Sequence, residues 1–111
     1  MDKLETYRKI IHQVLTDYAA IPYQYGDIKT EFIISQEGNR YLLITMGWEN
    51  RTRVHGCVVH LDIIDGKIWI QRDGTEDGIA TDLVAAGIPK SDIVLAFHPL
   101  ELRQYTDFAV S

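Results

Sequence analysis

The chain has 111 residues, 46% of them hydrophobic and 24% charged, and a net charge of −5. Those proportions exclude a disordered chain and fit one globular domain, residues 1–111, small enough that dimerisation would help its single core. Residues 1–55 carry seven basic and seven acidic side chains and residues 56–111 carry four and nine, so the acidic excess sits in the second half. There is no Lys/Arg cluster of the kind that binds phosphate backbones, and direct nucleic-acid binding is not expected.

Asp2-Lys3-Leu4-Glu5 has capping-box spacing, and Leu4, Tyr7, Ile11, Val14 and Tyr18 follow at steps of three and four. That stripe predicts an amphipathic helix that ends before Pro22 and packs on a sheet. Residues 28–36, with Phe32, Ile33 and Ile34, read as a strand, and Gly38-Asn39 as a turn. Residues 41–48 are nearly all apolar or β-branched, as in a strand covered on both faces. After a turn at Glu49-Asn50-Arg51, residues 52–64 read as a long strand, bent at Gly56.

Asp65-Gly66 is the sharpest local signal, because Asp-Gly between apolar strands favours a two-residue type I′ hairpin. The hairpin fixes the register: Ile63 opposite Ile68 and Leu61 opposite Ile70 on the core side, Asp62 opposite Trp69 and His60 opposite Gln71 on the other. Thr75 is expected to cap a second helix over residues 77–86, which Gly87 and Pro89 end. Residues 93–97 are an apolar run of undecided type, and residues 99–105 a last short helix. The fold class is α+β, an antiparallel meander of about four strands packed with an N-terminal helix and shorter C-terminal helices.

No stretch approaches the roughly 20 apolar residues of a membrane span, and the N-terminus lacks an apolar signal segment. The single cysteine, Cys57, cannot form an internal disulfide, which fits a cytoplasmic location. Strand parity groups Cys57 with Val59, Leu61 and Ile63 on the apolar face, the place of a small hydrophobe and not of a nucleophile. His60 and Asp62 share a face, with His55 on the opposite face unless a bulge intervenes; two ligands on one strand do not make a metal site. Asp73-Gly74-Thr75-Glu76-Asp77-Gly78 starts like a calcium loop, but Thr75 and Val84 stand where the template needs acidic or amide ligands. No nucleophile elbow, Walker sequence or dinucleotide fingerprint is present, so no catalytic residue, metal or cofactor is expected. The candidate interaction surface is Trp69 with Asp62, His60 and Gln71, an aromatic within a polar patch.

A longer constellation runs through the centre. Gly47-Trp48, Arg53-Val54-His55-Gly56 and His60-Leu61-Asp62-Ile63 are followed by Asp65-Gly66-Lys67-Ile68-Trp69-Ile70-Gln71 and Asp73-Gly74-Thr75-Glu76. Gly78-Ile79-Ala80, Gly87-Ile88-Pro89-Lys90, Asp92-Ile93-Val94-Leu95 and Phe97-His98-Pro99 complete it. This resembles the cyanobacterial XisI family, the fdxN element excision controlling factors, over nearly the whole chain. The resemblance implies a regulatory part in excision of that DNA element during heterocyst development, with a separate recombinase performing the strand chemistry. It also implies a XisH-like partner, of a type resembling nuclease folds, which an acidic surface would meet through complementary charge. The family brings no catalytic residues to carry over. The main expectation is therefore a non-catalytic regulatory protein, self-associating as a homodimer. The competing expectation is a small metal-dependent hydrolase, which requires His60 and Asp62 to meet a third group such as His55 or His98.

Overall fold

A stripe with helical spacing can bury only one side of a helix, and α1 (Lys3–Ala19) does this with Tyr7, Ile11 and Leu15. The computed structural model describes residues 3–22 and 27–111; the cap expected at Asp2 lies outside the described residues. Contacts from the N-terminal part of the helix anchor it. Tyr7 donates its hydroxyl proton to the Asp92 carboxylate, which Lys3 Nζ also approaches at 3.1 Å. Burial first, then the hydrogen bond and charge of Asp92, push the Tyr7 hydroxyl up to about 12. The same hydrogen bond, reinforced by Lys3, holds Asp92 below its ordinary value. Arg8 donates from Nε to the Gly38 carbonyl at 3.2 Å and from Nη2 to Asn39 Oδ1 at 3.0 Å, tying the helix to the first turn.

The strands are β1 (Asp27–Ile34), β2 (Arg40–Glu49), β3 (Thr52–Ile64), β4 (Lys67–Asp73) and β5 (Ile93–Leu95), in that spatial order within one five-stranded sheet. The first four form the predicted antiparallel meander. The fifth, from the run left undecided, lies parallel to β4. A parallel neighbour needs a crossover, supplied here by α2 (Ile79–Ala85) and a 3-10 turn at Lys90–Asp92. A short α3 (Leu100–Arg103) follows.

Two turns behave as their residues require. Asp65 and Gly66 both have positive φ, 50° and 78°, the type I′ geometry, and Ile63 faces Ile68, Leu61 faces Ile70 and Asp62 faces Trp69 as expected. His60, however, faces Arg72, because the register slips between His60 and Leu61 and leaves Gln71 out of the ladder. A second slip on the β2 side leaves Val58 unpaired, since Leu43 faces Val59 while Ile44 faces Cys57. The bend expected at Gly56 therefore lies at Val58, whose carbonyl accepts from Gly74 N–H at 2.7 Å and secures the end of β4.

The start of α2 also departs from expectation. Asp73, not Thr75, satisfies its backbone: one carboxylate oxygen accepts from Thr75 N–H at 2.9 Å, the other from Ile79 N–H at 2.7 Å. A carboxylate has two oxygens for the two tasks, where a threonine hydroxyl has one. The helix ends as predicted, with Gly87 at φ 118° and Ile88 N–H bonded back to the Leu83 carbonyl at 3.1 Å.

One side of the sheet carries the core. Leu43, Val59, Leu61, Ile68 and Ile70 meet Ile11 and Leu15 of α1 and Ile79 and Leu83 of α2, all with no exposure. Each such side chain contributes about 1.5–3 kcal/mol by leaving water.

Candidate functional site

Alternation along the strands turns every second residue to the side away from α1 and α2. On β2 these are Leu42, Ile44, Met46 and Trp48, and pairing places Glu31 and Ile33 of β1 and His55 and Cys57 of β3 beside them. Strand β2 is thus covered on one face only. Tyr41, Leu43 and Thr45 are buried, Leu42, Ile44 and Met46 half-buried, and Trp48 and Ile33 are 49% and 46% exposed. The sequence expectation of a doubly covered strand does not hold for the chain by itself.

The Val58 bulge changes which β3 side chains belong to this open face. One extra residue inverts the alternation beyond it. Cys57, paired with Ile44, points to the open face and not into the core as its parity had suggested. His55, paired with Met46, joins it and is exposed. The Cys57 thiol is half-buried and donates to the Val59 carbonyl at 3.2 Å; burial pushes its pKa up, against smaller opposing effects from the Arg72 charge and the Val59 backbone. A raised thiol is a poor nucleophile at neutral pH.

Two of the four predicted surface residues, His60 and Gln71, gather around the carboxylate of a third. Asp62 is 6% exposed. It accepts from Arg40 Nε at 2.9 Å, approaches His60 Nε2 at 3.1 Å, and accepts from Gln71 Nε2 at 3.3 Å. Gln71 reaches it although the bulge removes Gln71 from the ladder. The hydrogen bond and charge of Asp62 raise the Arg40 pKa above its ordinary value. From the sequence Arg40 stands out only as one of four cations, with Lys29, Arg51 and Arg53, that a nucleic-acid-binding face would gather; its place opposite Asp62 follows only from the β2–β3 register.

The fourth residue, Trp69, is half-buried, with the Arg103 guanidinium 5.5 Å from its ring centre. Arg103 also donates to the carbonyls of His98 at 3.0 Å, Val110 at 3.3 Å and Ala96 at 3.4 Å. One arginine thus folds the C-terminal segment over the Trp69 end of the face, leaving the Trp48 end uncovered. Arg53 lies 5.3 Å from the Trp48 ring centre, which adds a cation beside the exposed indole.

The hydrolase alternative needs a third ligand near His60 and Asp62. His98 instead packs at a tilt against Phe97, ring centres 4.6 Å apart, and among the described residues no group of three His, Cys, Asp or Glu side chains is placed to hold a metal. The Asp62 oxygens are already engaged by Arg40, His60 and Gln71. A separate cavity of about 390 Å³ on the helix side is lined by Tyr18, Thr30, Glu76, Asp77 and Asp82 among others. No helix among the described residues is long and apolar enough to cross a membrane.

The XisI protein family matches the sequence over residues 1–110. A XisI-like protein from Anabaena variabilis ATCC 29413 is 36% identical with a TM-score of 0.87, covering 99% of this chain and 100% of its own. The fdxN element excision controlling factor XisI from the same organism is 34% identical with a TM-score of 0.80, over 99% and 100% of the two chains. No curated protein matches.

Proposed function

Since the chain belongs to the XisI family, we propose that it is a non-catalytic regulatory factor of DNA-element excision. In this reading it acts in the cytoplasm by binding proteins, a XisH-like partner and the recombinase, and not by contacting DNA. Its relative named as an fdxN element excision controlling factor supports the process. Control of the fdxN element itself, during heterocyst development, is the specific form of the proposal.

The observation that carries the protein-contact part is the half-covered strand β2. Leu42, Ile44, Met46 and Trp48 form an apolar row on the side away from α1 and α2, half-buried to exposed, while Tyr41, Leu43 and Thr45 behind it are buried. A contiguous apolar patch with a polar rim is the usual anatomy of a protein contact. Arg53, His55, His60 and the Asp62–Gln71 pair supply that rim, and Trp69 its far end. The acidic second half adds long-range attraction for a basic partner.

The test is co-expression with a XisH-like protein and capture through a tag on the partner. Wild-type chain is expected to be retained. Trp48→Asp, an exposed position whose change spares the core, is expected to be lost from the captured fraction. Capture that is absent for the wild type, or equal for both, would sink the proposal.

A further inference from the structure

Strand β1 forms one edge of the sheet, and among the described residues β2 is its only strand partner. Exposed edges are normally blunted by prolines, bulges, short length or charged side chains; the charges here alternate in sign, so a second copy can match them. This edge runs eight residues with no proline and no register break against β2. Its open-side residues are Asp27, Lys29, Glu31 and Ile33, and its helix-side residues are Ile28, Thr30, Phe32 and Ile34. Lys29 and Glu31 lie side by side, 3.5 Å apart and both well exposed.

From this pattern we propose that β1 pairs antiparallel with β1 of a second copy about a two-fold axis at Thr30. The order of charges decides the register. Centred on Thr30, each Lys29 faces the Glu31 of the other copy on the open side, Ile28 faces Phe32 on the helix side, and Thr30 faces itself. Directly opposed unlike charges and apolar pairs stabilise a ladder, whereas like charges destabilise it. A centre at Glu31 sets Glu31 against its own copy. A centre at Lys29 sets lysine against lysine and Asp27 against Glu31. An odd offset turns the helix side of one copy to the open side of the other. An isologous contact needs a self-complementary patch; a centre at Ile28 also opposes Asp27 to Lys29 but pairs only residues 27–29 of the strand, whereas the Thr30 centre pairs residues 27–33, with Asp27 opposite Ile33.

The two sheets then continue into one another with both open faces on the same side, so the Trp48-bearing surfaces lie together on one platform. This inference rests on the edge strand and stands whether or not the open face binds a XisH-like partner.

The experiment is size exclusion with light scattering over a range of concentrations, with circular dichroism to check folding. Wild-type protein is expected at twice the chain mass. Glu31→Lys opposes lysine to lysine at both ends of the seam and is expected to raise the dissociation constant roughly tenfold or more. The double variant Lys29→Glu with Glu31→Lys restores unlike pairs and the dimer. Thr30→Cys in a Cys57→Ser background is expected to give a disulfide between copies on mild oxidation, since only this register sets residue 30 against itself. A wild-type monomer at every concentration would overturn the proposal. So would a dimer insensitive to Glu31→Lys, or one in which Thr30→Cys fails to cross-link. Should Glu31→Lys not fold, the cross-link decides.

Discussion

Gly47→Ala tests how β1 is held to the sheet. Gly47 has φ 153°, and a Cβ built there would lie 1.9 Å from the Asp27 carbonyl oxygen and 2.7 Å from the Ile28 Cα. Both atoms are backbone, so no side-chain rotation relieves the clash; the start of β1 must move by about 1 Å or more, since unbonded carbon and oxygen normally stay above roughly 3 Å apart. Overpacking of this kind costs about 1–3 kcal/mol and an unfavourable φ roughly 1 kcal/mol more. Gly56→Ala is the control, because a Cβ there meets nothing within 4 Å. Replacing a strand glycine without a clash is expected to be neutral or stabilising by up to about 1 kcal/mol. Urea unfolding followed by fluorescence should show a midpoint lowered by about 2–4 kcal/mol of stability for Gly47→Ala at an unchanged slope. A Gly47→Ala protein within about 0.5 kcal/mol of wild type would refute the packing argument.

Three further outcomes follow from single contacts. Tyr7→Phe removes the bond to Asp92 and should cost about 1–2 kcal/mol. Because the folded Tyr7 value is raised from 10.0 to about 12, its contribution is complete below pH 10 and is lost as pH rises towards 12. The alkaline unfolding arm of the wild type should therefore flatten in Tyr7→Phe, and identical arms would count against it. Asp92, depressed in the fold, works in the opposite direction: its contribution is present above its ordinary value of 3.8 and is lost on acidification below it. Asp62→Asn keeps the shape but removes the shared charge, and should destabilise by about 1–2 kcal/mol, mostly through the buried carboxylate, since Arg40 stays hydrated; an unchanged melting curve would contradict this. Arg103→Ala frees the C-terminal segment and should shift tryptophan emission to the red as Trp69 meets water, with a loss of about 1–2 kcal/mol; unchanged emission would show that Arg103 is not what covers the ring.

Features set by neighbours in the chain were legible in the sequence. The Asp65-Gly66 hairpin fixed three cross-strand pairs, because a two-residue loop leaves no freedom of register. The α1 stripe and the Gly87 stop rest on equally local chemistry. Features that depend on distant partners were not legible. The Val58 bulge exists because its carbonyl meets Gly74, sixteen positions later, and strand alternation alone then assigns Cys57 to the wrong face. The parallel placement of β5 depends on how α2 crosses the sheet. In the candidate site, His60, Asp62 and Trp69 were read correctly onto one face. Their partners Arg40 and Arg103 come from other strands and from the C-terminal segment, and no spacing in the sequence announces them. Strand β2 was misread in an informative way. Its apolar composition does call for cover on both faces, and the fold supplies it on one.

In the proposed function the open face regulates excision through protein contact. The most direct test is an excision assay reconstituted with the recombinase, a XisH-like protein and a plasmid carrying the DNA element, scored by the rejoined junction. Wild-type chain is expected to change the yield of excised product, and Trp48→Asp, folded by circular dichroism, to abolish that change. An effect of the wild type that survives in Trp48→Asp, or no effect of the wild type at all, would contradict the proposal.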